Sequence, residues 1–498
     1  MTLLDVSIVN VALPSMQRSL GASAGELQWI VAGYALAFGL FLVPSGRLGD
    51  VFSRRTLFLV GLVAFTVTSA VAGLVESGTA LAVVRLIQGA AAGILNPQVL
   101  GLLQQLFSGA ERARAFGAFG TTVGISTAVG PLLGGLILLV FGEEHGWRGV
   151  FLVNVPIGLV LFPLAWRWLP RPTAAGPREA AAGTGPTGAA QPAGPRHRSA
   201  SGRVHLDVVG LLLLAAAVTV AMLPFVLTEG SGGGAPAWRW ALLPVAALLM
   251  AAFVLWERHD ARRGREPVVS GDLVRTASFS LGAAVGIAYF AGFTGIFLVT
   301  TLYVQTGLGL PPLQAGLVLT PFALASAVTA QIGGRRVSTR GRRIVVVGLV
   351  LTLVGLVGAD VVAATVPADA PTWLPAVLLG AVLAVAGAGS GLTISPNQTL
   401  ALAEVPRRVA GVAGGVLQTG QRIGTAVGVA AVTSVFFAGV GGGRGAAVYG
   451  EALSAGLRVS VGCVVLALVL ALVDARRRQD APTPAGEAPG PGSSTVAR

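Results

Sequence analysis

Three places in this sequence combine residue types that do chemistry with a setting that gives them something to do. The first is Asp5, a lone carboxylate in the apolar run LDVSIVNVALPSMQRSLG, Leu4 to Gly21. A carboxylate buried among apolar groups has its charged form disfavoured, and an ionisable residue at membrane depth is a candidate proton carrier. Only four residues precede it, so a solvated N-terminal capping residue is the alternative. The second is Arg85 with Gln88 three residues on, in RLIQGAAAG, Arg85 to Gly93, which puts both on one helix face. Arg85 is roughly 9 Å from the outer end of its run, where snorkelling to the interface is the plainer reading. The third is Arg422 in QTGQRIG, Gln418 to Gly424, about twelve residues and therefore near the centre of its run. A charge there faces a cavity or a partner: a counterion for Asp5, an anionic group on a small molecule, or an ordinary structural pair.

This inventory handles protons and charge and makes no bonds. The single cysteine, Cys463, and four histidines, His145, His197, His205 and His259, give no disulfide framework, metal cluster or Ser/His/Asp arrangement at membrane depth. An intramembrane enzyme and a metal site are therefore not expected.

The elements that must carry these residues follow from composition. Of 498 residues, 54% are hydrophobic and 11% charged, against about 25% charged in soluble domains. Fourteen apolar runs are long enough to span a bilayer, near 1–20, 29–46, 57–75, 79–103, 113–140, 149–168, 207–227, 239–256, 277–302, 312–333, 343–363, 372–394, 410–438 and 452–473. The net charge of +13 comes without a lysine. Its arginines gather in alternate loops, which by the positive-inside rule places both termini in the cytoplasm and removes the case for a nucleic-acid partner. Residues 1–168 read as one six-helix bundle, 206–256 as an inserted helix pair, 257–276 as a cytoplasmic loop and 277–474 as a second bundle. The Pro, Gly, Ala and Arg-rich stretches 169–205 and 475–498 read as a disordered cytoplasmic linker and tail.

Moving parts are suggested by glycine. Gly117, Gly120, Gly124, Ala128, Pro131 and Gly135 fall within roughly 80° on one helix face, with Gly130 and Gly134 beside them. Such a bare face is where helices dock in lipid, and Pro131 should bend the helix next to it. A static contact is the alternative to a sliding one. The loop GRLGDVFSRRTLF offers Gly46 for a tight turn and Asp50, Arg54 and Arg55 for a charge-assisted latch between helix ends; topology-setting arginines are the plainer reading. Both the loop and the glycine helix recur, each at its own offset: Gly46 matches Gly334, and Arg54 and Arg55 match Arg342 and Arg343, with Ser338 where Asp50 would fall. Gly117, Gly120, Gly130 and Gly134 recur as Gly411, Gly414, Gly424 and Gly428, with Thr425 in place of the proline. Two like-oriented halves follow. Tyr289, Phe290, Phe293 and Phe297 recur at helical spacing and either line a cavity or pack a core.

The stretch GPLLGG, Gly130 to Gly135, resembles the fifth-helix antiporter motif of drug exporters in the major facilitator superfamily, with Ser126 where glycine is usual. GRLGDVFSRR resembles the superfamily's signature loop, with Ser53 for glycine. The Asp5 run, the Arg85 motif, and GWRGVFLVNVPIG, Gly146 to Gly158, which adds no chemistry of its own, resemble the fourteen-helix drug/proton antiporter branch. What the resemblance implies is an all-α major facilitator fold of two six-helix bundles plus two inserted helices, with a first helix shorter than the family's, from which either a start upstream of Met1 or an incomplete gene product is expected. It further implies proton-coupled efflux of hydrophobic or cationic drugs by alternating access, by a monomer in the cytoplasmic membrane, with the proton gradient and no cofactor. Asp5, Arg85 and Arg422 would couple protons, Gln88, Tyr289, Phe293 and Gln418 would line the cavity, and the Gly117 to Gly135 face would be the moving contact. Export of one dedicated metabolite, and a non-transporting receptor or scaffold, are the alternatives.

Overall fold

The computed structural model describes residues 1–170, 207–226, 237–263, 271–367, 370–406 and 409–479. The first half holds α1 (Thr2–Leu20), α2 (Ala24–Val51), α3 (Arg54–Ala72), α4 (Gly78–Leu106), α5 (Gly109–Leu152) and α6 (Asn154–Trp168). Then come α7 (Val208–Val226), α8 (Leu242–Arg262) and the short α9 (Gly271–Arg275). The second half holds α10 (Ala277–Leu302), α11 (Pro312–Arg340), α12 (Arg342–Thr365), α13 (Trp373–Ala401), α14 (Ala410–Val440) and α15 (Ala446–Gln479). Among the described residues there is no strand, as lipid requires of any chain that cannot close a barrel.

Eleven of the described helices are long and apolar enough to cross a membrane. The shorter apolar stretches Leu132–Gly142 and Val209–Pro224, with α1, stand where the other expected runs fall. Side chains such as Leu139, Leu159 and Leu248 point away from the protein, the inside-out surface of a chain solvated by lipid tails. Local signals set the ends. Ser23 and Glu26 form a capping box at the start of α2, and Ser53 and Ser77 accept from Thr56 and Ala80 at the starts of α3 and α4. The break in α5 falls at Gly142 (φ 77°, ψ 158°), a conformation that favours glycine. The bend expected at Pro131 is not where the helix breaks, since Pro131 lies in continuous helix. The tail expected from residue 475 begins inside α15, which runs on to Gln479. Most of the 169–205 linker, and 480–498, lie outside the described residues.

The halves pack by one plan. In the first, α1 lies on α5, α2 on α4, and α3 on α4 and α6; in the second, α10 lies on α14, α11 on α13, and α12 on α13 and α15. Between halves, α2 meets α14 and α5 meets α11, the same pairing exchanged. The inserted α7 covers the α2–α14 seam from outside, with Leu214, Val218 and Met222 in one apolar cluster with Leu36, Val43 and Ala426.

Close packing within the second half depends on Gly387, where α13 lies against the backbone of Phe322 on α11. We expect Gly387→Ala to cost about 1–3 kcal/mol by overpacking, read as a lowered thermal midpoint of the purified protein. An unchanged midpoint would mean that these helices do not approach so closely.

Candidate functional site

Asp5 sits in the first turn of α1, where a carboxylate suits the helix dipole, yet it is fully buried and is no solvated cap. Its Oδ2 accepts from Nη1 of Arg85 at 2.5 Å, and its Oδ1 from the amides of Gln88 at 3.2 Å and Asn154 at 3.0 Å. Arg85 also donates from Nη1 to Oε1 of Gln88 (2.8 Å) and from Nε to the carbonyl of Ile30 (3.1 Å). Ser69 on α3 closes the network: its hydroxyl accepts from Gln88 and Asn154, each at 3.1 Å, and donates to the carbonyl of Phe151. Arg85, Gln88, Asn154 and Ser69 are all buried to within 1%. Arg85 therefore does not snorkel; it is held inside by α1 and by a Tyr34 ring 4.1 Å from its guanidinium carbon.

The sequence did not reveal Asn154, Ser69 or Tyr34. The Gly146 to Gly158 segment, expected to add no chemistry, supplies Asn154; a single amide in an apolar helix was the available signal. Gln88, expected to line a cavity, belongs to this buried network.

Arg422 does not serve as counterion to Asp5, whose charge Arg85 meets. Its guanidinium lies 4.6 Å from the Phe38 ring on α2. Phe38 in turn stacks with Tyr34 at 6.1 Å and an interplanar angle of 10°, so two aromatic rings on α2 separate the two guanidiniums. Tyr289 and Phe293 pack with Phe297 and Phe322 in the core of the second half, the plainer of the two readings.

The glycines divide into two groups. Gly117, Gly120 and Gly124 meet the other half, at Ala330 and Gly334, at Ser395 and Ala330, and at Ala323 and Ala327. Gly130 and Gly134 instead seat α1, at Ser7 and Ile8, and a methyl group added at Gly135 would meet nothing within 4 Å. The single moving face expected over Gly117 to Gly135 is thus a contact between halves at one end and a contact within a half at the other. The repeat divides identically: Gly411 and Gly414 meet α2 and α4, while Gly424 and Gly428 seat α10 at Ile287 and Ala291.

At the end carrying the α2–α3 and α11–α12 turns, these contacts close the space between the halves. Asp50 pairs with Arg54 at 2.5 Å and accepts from the backbone N–H groups of Gly411 and Val412, each at 2.9 Å, at the N-terminus of α14. Gly46 lies directly on the backbone of Gly411, so the latch spans the halves. Arg55 is not part of it; it donates to the carbonyl of Trp166 and stacks on that ring, tying α3 to α6. Leu100 and Phe116 meet Phe279, Leu402 and Leu417 in an apolar plug, and Gln104 donates to the carbonyl of Leu402 across it. Among the described residues no group of His, Cys, Asp or Glu could hold a metal ion.

Two pseudo-symmetric helical halves, closed against each other at one end and enclosing a buried charge network in the first, define a membrane transporter of the two-bundle class. The sequence matches the Major Facilitator Superfamily over residues 1–230 and 208–429, and the chain belongs to that family. It is 35% identical to a probable actinorhodin transporter of Streptomyces coelicolor over 88% of this chain and 70% of that protein. It is 31% identical to the multidrug resistance protein Stp of Mycobacterium tuberculosis, over 88% of this chain and 74% of the other. Its fold matches the Escherichia coli fucose:proton symporter at a TM-score of 0.57 and 12% identity, over 95% and 96% of the two chains.

Removing one member of a buried ion pair costs about 3–5 kcal/mol. We expect Asp5→Asn and Arg85→Gln each to lower the thermal midpoint clearly, and the double variant to lose less than the sum of the two. Strict additivity would mean that the pair is not coupled.

Proposed function

We propose that the chain exports small antibiotic-like, largely hydrophobic molecules across the cytoplasmic membrane in exchange for protons. It does so by alternating access, as a monomer with both termini in the cytoplasm. The observation that carries the reading is the Asp5 network: a carboxylate with three side-chain donors, fully buried in a bundle built otherwise of apolar helices. Protonating Asp5 leaves Arg85 as an uncompensated buried charge, which is costly. The helices that deliver the network, α1, α2, α3, α4 and α6, must then repack or expose Arg85 to water. A proton arriving at Asp5 thereby biases the first half toward another arrangement, which is what coupling requires.

The arginine-rich turns at the closed end support a cytoplasmic position for it. There the Asp50 latch and the glycine contacts along α2–α14 and α5–α11 hold the protein shut toward the cytoplasm, and opening them admits cargo. The work is vectorial, without bond-making and without a cofactor; the proton gradient supplies the energy. Export of one dedicated compound is the second reading, favoured by a relative named for actinorhodin alone.

In everted vesicles with an imposed proton gradient, we expect uptake of a hydrophobic dye that collapses on adding an uncoupler. Uptake indifferent to the uncoupler would rule out proton coupling. Asp5→Asn should reduce gradient-driven uptake about tenfold or more while leaving downhill exchange of dye intact, because a missing proton acceptor removes the drive and not the pathway; equal loss of both would assign Asp5 a structural role only.

Gly124 faces Ala327 and Ala323 across the seam, so Gly124→Leu should block transport in both modes with normal membrane insertion. A fully active variant would mean that α5 and α11 never close on each other there.

A further inference from the structure

Four carboxylates are each met by an arginine: Asp5 by Arg85, Asp50 by Arg54, Asp474 by Arg342 and Asp360 by Arg458. Arg55 and Arg148 instead donate to backbone carbonyls. Arg422 does neither. Roughly 18 Å along α14 at 1.5 Å per residue, it makes no ion pair and no hydrogen bond among the described residues; its contact is the Phe38 ring. The residue is half-buried.

Its position on α14 says where it faces. Gly411 and Gly415 lie on the backbone of α2 at Gly46 and Leu42, and Arg422, on the same face, stands at Phe38 about one turn further along α2. Arg422 thus stands about two turns beyond the stretch where Gly411 and Gly415 meet the backbone of α2. Gln418, one turn below on the same face, and Gln421 beside it make no hydrogen bond among the described residues either. The apolar plug of Leu100, Phe116, Phe279, Leu402 and Leu417 lies beneath. The result is a donor-rich layer with one uncompensated positive charge, resting on an apolar floor.

We propose that Arg422, with Gln418 and Gln421, is the binding site for an anionic group, a carboxylate or an ionised phenol, on an otherwise apolar cargo. This rests on the export reading above and specifies its substrate class. A planar guanidinium backed by a ring on one face presents its N–H edge in a fixed plane, the arrangement suited to a two-oxygen anion. A cationic cargo, which the sequence resemblance implied, would need an uncompensated carboxylate at this level. The nearby Asp5 is already committed to Arg85, and placing a second cation beside Arg422 is repulsive at low dielectric.

The test uses two dyes of one xanthene scaffold: fluorescein, an anion at neutral pH, and rhodamine 123, a cation. Binding to the purified full-length protein is read by fluorescence anisotropy. The wild type should bind fluorescein about tenfold or more tighter than rhodamine 123, and Arg422→Gln should weaken fluorescein by about the same factor, the size expected for one charge-assisted hydrogen bond. Arg422→Lys should keep the preference for the anion, which shows that the site and the fold survive, and Arg422→Glu should shift it toward the cation. A wild type that does not prefer fluorescein, or an Arg422→Gln variant that binds it unchanged while eluting as a folded monodisperse protein, overturns the proposal. Vesicle transport of the same dyes separates this from the export reading. Arg422-dependent binding without uncoupler-sensitive uptake defeats export and leaves the site; uncoupler-sensitive uptake of both dyes, indifferent to Arg422→Gln, defeats the site and leaves export.

Discussion

Burying a carboxylate and a guanidinium together costs several kcal/mol per ion before any attraction is counted, and only a fully furnished shell makes it tolerable. The first half is arranged around that requirement. The carboxylate comes from α1, the guanidinium and one amide from α4, a second amide from α6, a hydroxyl from α3, and the covering ring and a carbonyl acceptor from α2. Five helices are fixed relative to one another by a handful of polar atoms, in a medium where apolar packing alone discriminates poorly between neighbours. The second half buries its own pair, Arg342 with Asp474, joining α12 to α15. Its interior at Tyr289, Phe293 and Phe322 is aromatic and apolar, so the two halves share a helix plan while differing in what holds them.

The repeated arginines show how that difference is built. Arg54 pairs with Asp50 four residues away, and Asp50 reaches across to the N-terminus of α14. In the second half the position equivalent to Asp50 is Ser338, and Arg342 turns inward, pairing with Asp474 on α15 and donating to Asn397 and to the carbonyl of Ser278. One copy of the motif ties the halves together; the other ties a half to itself. The α2–α14 seam is thus latched by charge, whereas α5–α11 is held by small residues and one hydroxyl, Thr121, which donates to the carbonyl of Ala327.

Much of this was legible in the chain, for identifiable reasons. Helix lengths follow from apolar runs, and Arg85 and Gln88 were placed together because three-residue spacing fixes a shared face. Asn154 and Ser69 were not legible, since an isolated polar residue in an apolar helix has depth but no stated direction. Direction is also what misled the reading of Arg422: counting residues put it at mid-depth, near where a counterion for Asp5 belongs, but its azimuth on α14 aims it at Phe38. The glycine stripe was read as one surface because its residues share a face, yet α5 is long enough to change neighbours along its length, from α11 to α1. Arg55 looked like part of the latch by adjacency, while successive residues on a helix point about 100° apart and it meets Trp166 instead.

The bare backbone of the seams bears on the thermodynamics of switching. Ordering a long side chain at an interface costs up to about 2 kcal/mol of rotamer freedom, and a glycine costs none on that count. Where Gly46 rests on Gly411 and Gly117 on Gly334, closure freezes almost no rotamers and opening liberates almost none. Beyond the apolar plug, the open and closed arrangements then differ mainly in a few polar contacts and in solvation, terms of the size that one proton or one bound molecule can shift. Interfaces built of interlocking leucines would lack that near-degeneracy, and would hold the protein in whichever shape it first adopted.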